Sequence, residues 1–177
     1  MGEASAPARP DVAAQPEPAP AETKKTYRVK TDLDPNMIVP VKNGFPGVLV
    51  YRSRRTGELY RWQEFGAEQD MELSELKTAK NSCKEFFVNA WFLIDDPEVL
   101  DWLGVSQYYK HTLSFDQFDA VLFKDADSLK QAIDEMSNGQ KRSLAYRAKQ
   151  LIADNTIDSL AVIHVLEESL GVELIEY

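Results

Sequence analysis

Val48-Leu49-Val50-Tyr51-Arg52-Ser53-Arg54-Arg55-Thr56-Gly57-Glu58-Leu59-Tyr60-Arg61-Trp62-Gln63-Glu64-Phe65 decides the fold. Two short runs rich in β-branched and aromatic residues flank the polar connector Arg54 to Glu58, whose Gly57 suits the positive φ of a tight reversal. The pattern predicts a β-hairpin. The chain before it lacks the apolar content for a core, and most of the chain after it has helical periodicity and needs a surface to pack on.

Working outward, Met37-Ile38-Val39-Pro40-Val41 predicts a preceding strand, which Pro40 confines to an edge or a bulge because proline has no amide to donate. Asn43-Gly44 and Pro46-Gly47 mark a reversal into Val48. Three strands, near 37–42, 48–53 and 59–65, are expected to form an antiparallel meander, with Met71 to Leu73 a short fourth. A sheet this small needs cover on one face.

Helices supply the cover. Ser74 is placed to cap a first helix carrying Glu75, Leu76, Ala79 and Cys83. Phe86 to Ile94 is apolar at nearly every position, and the expected outcome is a helix from Lys84 to about Ala90 followed by extended chain over Trp91 to Ile94. Asp96 as N-cap, Pro97 in the first turn and Gly104 beyond the end specify both ends of a short helix. Ser114 begins a helix with Phe118, Val121 and Leu122, and Asp127 or Ser128 begins one with Leu129, Ile133 and Met136. Asn138-Gly139 reads as a break. A helix over 140–153, a three-residue turn and a helix over 157–170 follow. The last is apolar on more than one face and is expected to be buried, with Val172 to Ile175 as a closing strand. The fold class is therefore α+β: a small antiparallel meander over 26–73, packed against a mainly helical 74–177, as one domain. Residues 1–25, rich in alanine and proline, bury too little to offset their chain entropy and are expected to be disordered.

Charge and cysteine content narrow the function. A net charge of −9 disfavours long-range attraction to nucleic acid or anionic membrane and favours a basic partner surface. A single cysteine, Cys83, supports neither an intramolecular disulfide nor a cysteine zinc cluster. No membrane-length apolar run or signal-peptide pattern is present in the sequence, so synthesis in the cytoplasm without secretion is expected. The sequence contains no phosphate loop, nucleophile elbow or zinc-helix motif. Of the two histidines, His164 is expected in the core or an interface and His111 at the surface. Asp95, Asp96 and Glu98 are better explained by helix capping than by a metal, and no catalytic residue, metal or cofactor is expected. The chain reads as a non-enzyme.

One stretch carries a candidate binding surface. Arg52, Arg54, Arg55 and Arg61 interleave with Tyr60 and Trp62, and a sheet presenting arginines and aromatics can stack bases and contact phosphates. Strand alternation offers the opposite outcome, with the aromatics turned inward and the arginines in water. The final helix pair has the outline of a helix-turn-helix, yet its second helix carries Asp158, Glu167 and Glu168 and no arginine or lysine, so it reads as packing.

Asn43-Gly44, Leu49 to Ser53, Arg55 to Glu58, Trp62, Phe65-Gly66, Asp70-Met71, Glu75 to Lys77, Trp91-Phe92 and Asp96 to Val99 together resemble a group of structural or assembly proteins of tailed bacteriophages of Gram-positive hosts. The resemblance spans roughly 37–177. It implies a virion or morphogenesis component in the host cytoplasm or the particle, acting through contacts with other protein subunits. The competing expectation is a nucleic-acid-binding or regulatory protein that uses the hairpin over 48–65.

Overall fold

The computed structural model describes residues 32–175, together with Gly2. The tail expected over 1–25 therefore lies, but for Gly2, outside the described residues. The elements run β1 (Ile38–Asn43), β2 (Leu49–Arg52), β3 (Leu59–Trp62), β4 (Glu68–Glu72), α1 (Leu73–Ser82), α2 (Glu85–Val88), β5 (Phe92–Leu93), α3 (Pro97–Leu103), a 3-10 turn (Ser106–Tyr108), α4 (Phe115–Leu122), α5 (Ala126–Glu135), α6 (Asn138–Ala153) and α7 (Leu160–Leu170). The class is α+β, with antiparallel strands first and most helices in the C-terminal half.

The strands pair differently from a three-strand meander. β1 lies between β4 and β5, whereas β2 and β3 form a ribbon of their own. The cause is Asn43, fully buried at the end of β1. Its side-chain amide donates to Gly47 O at 2.7 Å and Glu64 O at 2.8 Å, and its Oδ1 accepts from the Phe45 amide at 2.8 Å. Its backbone amide donates to Ala67 O and its carbonyl accepts from Gly66 N, both at 2.8 Å. One residue thus fastens the loops on either side of the ribbon, and the chain leaves β1 in a wide loop where a tight turn would have paired β1 with β2. At Gly44 a Cβ would collide with the Ala90 carbonyl and the Leu93 side chain, so the close approach of loop and β5 needs glycine there.

β4 is longer than expected and almost entirely polar. Only Met71 points inward, opposite Val39. α1 begins one residue before the expected cap: Ser74 Oγ donates to Glu72 rather than capping the helix. The segment 84–94 follows expectation, with α2 ending at Val88 and β5 extended. α3 is capped as its sequence specifies. Asp96 accepts from Glu98 N at 2.8 Å, Pro97 opens the helix and Gly104 closes it in the left-handed region. Ser114 and Gln117 form a reciprocal capping box on α4. Asp125, two residues before the expected start, caps α5 through Ser128 N.

Two cores result. One lies under the sheet, with Trp62, Tyr51, Phe92, Leu76 and Val99; the other joins α4 to α7, with Phe118, Leu129, Leu144 and Leu166. The start of α6 joins them. Asn138-Gly139 does not break the chain, because Ser137 caps the helix through Gln140 N at 3.2 Å and both residues enter the first turn. Gly139 packs against Asn89 with no room for a side chain, Gln140 exchanges two hydrogen bonds with the Leu113 backbone, and Ser143 Oγ donates to Gly44 O.

The C-terminus corrects three expectations. α7 starts at Leu160, and of its residues only Ile163 and Leu166 are buried; Leu160 is 61% exposed. His164, expected in the core or an interface, lies outside the core with its side chain in water near Glu167. Val172 to Ile175 forms no strand. Its backbone is held instead by Glu167, whose Oε1 accepts from Leu174 N and Ile175 N and whose carboxyl is thereby held below its ordinary range.

Candidate interaction surface of the ribbon

The ribbon is a rigid platform because its turn is internally bonded. Ser53, buried, accepts at Oγ from Arg55 N at 3.1 Å and Thr56 N at 3.0 Å. Its amide donates to Glu58 O and its carbonyl accepts from Gly57 N. The register Leu49 to Trp62, Val50 to Arg61, Tyr51 to Tyr60 and Arg52 to Leu59 assigns every side chain to a face.

The inner face carries the aromatics. Trp62 is fully buried and its indole N–H donates to Val41 O at 2.9 Å. Its ring lies 5.3 Å from Phe92, Tyr51 packs edge-on to both Phe86 and Phe92, and Tyr60 stacks beside Trp62. Burial pushes the Tyr51 hydroxyl up, and its hydrogen bond to Glu75 at 2.7 Å adds to this. Burial, with the Glu58 carboxylate at 3.0 Å, likewise pushes Tyr60 up to about 12.

Glu75 is the second polar anchor. It sits fully buried on α1 and accepts from both Tyr51 and Arg55, whose Nε is 3.2 Å away. The other arm of Arg55 reaches Glu72 at 3.2 Å, and these carboxylates hold its guanidinium above its ordinary range. Arg55 is thus a clamp between the turn and α1. Removing it would leave a buried carboxylate short of a partner.

The outer face is different in kind. Val50 and Leu59 are 45% and 51% exposed, with Val48 beside them, and Arg52 and Arg61 stand directly across the strands from them. Arg52, Arg54 and Arg61 are exposed and make no ion pair with a described residue. Of the six residues that sequence reasoning assembled, Arg52, Arg54 and Arg61 share the solvent side, whereas Trp62, Tyr60 and Arg55 are committed to the fold. The missed members are Val48, Val50 and Leu59. Their signal was the same period-two alternation that placed the aromatics inside.

Three lysines of the sheet half are engaged locally. Lys77 and Lys84 lie over the rings of Trp102 and Tyr108, and Lys80 donates to Leu103 O at 2.6 Å. Cys83 is half-buried against the sheet-side core. His111 is exposed, 3.3 Å from Glu135, as expected of a surface residue. Among the described residues no group of histidine, cysteine and carboxylate side chains is arranged to hold a metal, and no helix is long and apolar enough to cross a membrane. Compared with family models, curated proteins and solved structures, the chain matches none.

Proposed function

We propose that the protein is a non-enzymatic structural or assembly module that acts through protein contacts made by the outer face of the β2–β3 ribbon. The setting suggested by its resemblance to tailed-phage proteins is virion assembly in a host cell. One observation carries this reading: exposed valine and leucine side chains alternate with unpaired arginines on a ribbon whose other face is locked into the core. Such a surface offers apolar area and charged donors on a backbone that is already held, and arginine is among the residues that carry contact energy.

The nucleic-acid reading keeps its arginines and loses its stacking platform, since Tyr60 and Trp62 face inward. The test is recovery of the native complex with tagged full-length chain and with Arg52→Glu/Arg61→Glu. Loss of the protein partner from the variant, at an unchanged melting temperature, supports the proposal. Retention of the partner, or oligonucleotide binding that weakens steeply with salt and depends on these arginines, overturns it.

A further inference from the structure

Among the described residues eight large apolar side chains are well exposed, and four of them fall on two neighbouring features of the sheet half: Val48, Val50 and Leu59 on the ribbon, and Ile38 on β1. Ile38 belongs to a groove on the outer side of the β4-β1-β5 sheet. Ile38, Pro40 and Ile94 form its apolar wall and Glu68, Asp95 and Asp96 its rim, around a volume of about 350 Å³. Lys42 also lines it, with its ammonium 3.2 Å from Asp95, so three carboxylates face a single cation. Asp70, opposite Pro40 on the exposed side of β4, adds a further negative charge nearby.

The ribbon and the groove are complementary. Each has an exposed apolar centre; the ribbon carries unpaired arginines and the groove carries excess carboxylates. Resting on the reading of the ribbon as a contact surface, we infer that its partner is a second copy of this chain, with Val50, Leu59, Arg52 and Arg61 of one copy docking into the Ile38–Glu68–Asp95 groove of another. The other clustered cations of the described surface do not match the groove in this way: Lys77, Lys80 and Lys84 are engaged by their own aromatic rings and a helix-end carbonyl, and Lys141, Arg142 and Lys149 of α6 have no well-exposed large apolar side chain among them. In an acidic chain, a cationic ribbon that meets an acidic groove supplies a local attraction against the general repulsion between copies. The two surfaces are different, so the contact is one-way. It leaves a free ribbon and a free groove at the ends of each assembly and extends past a dimer unless a ring closes.

Two full-length variants test this in sedimentation, each first shown to melt like the wild type. Leu59→Ser/Arg61→Ser removes the ribbon and keeps the groove; Ile38→Lys/Glu68→Lys removes the groove and keeps the ribbon. The wild type is expected to self-associate with concentration, less so as salt is added. Each variant alone is expected to stay monomeric, its self-affinity reduced at least about tenfold. Their mixture is expected to form a one-to-one pair that grows no further. A wild type monomeric at on the order of 100 μM in low salt overturns the inference, since it excludes a micromolar contact. So does either variant assembling alone, or a mixture that fails to pair. If self-association fails while the ribbon variant still loses a native partner, the contact reading stands with another protein in the groove's place; if that partner is kept, both fail.

Discussion

The two halves of the molecule are held by different means. In the sheet half a few buried polar residues set the geometry: Asn43 fixes the loops on both sides of the ribbon, and Glu75 ties the ribbon to α1 through Tyr51 and Arg55. In the helical half the core is mostly apolar; its polar links are Gln140 at the start of α6, bonded twice to the Leu113 backbone, and the two-pronged pair of Arg147 on α6 with Asp119 on α4, both bonds at 2.7 Å and partly open to water. Polar fastening is directional, and a surface whose residues must stand in register is better carried by it. Apolar packing tolerates substitution more readily.

The largest effect is expected at the polar hub. Asn43→Ala would leave the carbonyls of Gly47 and Glu64 and the amide of Phe45 without side-chain partners, at about 1–3 kcal/mol for each group left unsatisfied, and should unfold the sheet half first. Chemical denaturation measures it. A loss under about 1 kcal/mol would break the comparison. Leu129→Ala in the fully buried helical core should cost roughly 2–5 kcal/mol by cavity formation. Tyr51→Phe should cost about 1.5–3 kcal/mol, because the hydrogen bond it removes ends on a charged group. The smallest effect is expected at the surface: Leu160→Gln on α7 should change stability by no more than about 0.5 kcal/mol, since the side chain is mostly in water.

The halves should also part in their response to pH. Tyr51, Tyr60 and Tyr109 are all raised above the ordinary value of 10.0, chiefly by burial. The stability they contribute is fully present below pH 10, where the unfolded chain keeps its phenol protons, and is lost as pH rises toward and through their folded values. Tyr60, near 12, is the first of them expected to titrate. Asp119 is lowered by its hydrogen bonds to Arg147, so its contribution is present above the ordinary value of 3.8 and lost as pH falls below it, screened by its partial exposure. Hydrogen exchange across pH should therefore show alkaline loosening in residues 37–109 and acid loosening between α4 and α6 and where Glu167 holds the C-terminal backbone. Asp119→Asn should flatten only the acid limb.

What could be read from the residues was whatever local chemistry decides. The caps of α3 and α4, the turn at Ser53 to Glu58 and the passage from α2 to β5 all follow from neighbours in sequence. Most of β4 escaped: the short strand expected over 71–73 meets it only at Met71 and Glu72, because Glu68-Gln69-Asp70-Met71-Glu72 has one inward residue and its strand character comes from pairing with β1, about thirty residues earlier. The ribbon's separation from β1 escaped for the same reason: Asn43 acts through Glu64 and Ala67, far along the chain. α7 misled through its composition. Its apolar residues outnumber the places the helical core has for them, and Leu160 is left outside. Half of the candidate surface was legible because period-two alternation sorts residues by face; which face meets the core depends on Phe86 and Phe92, and only the folded chain shows that.

The division of the ribbon into a core face and a contact face is most directly tested by labelling arginines with a dicarbonyl reagent and reading the sites by mass spectrometry, in the dilute chain and in the assembled species. Arg52, Arg54 and Arg61 should react readily in the dilute chain and Arg52 and Arg61 be protected on assembly, while Arg55, held by Glu72 and Glu75, should react slowly in both. Equal reactivity of Arg52 and Arg61 in the two states would contradict the account.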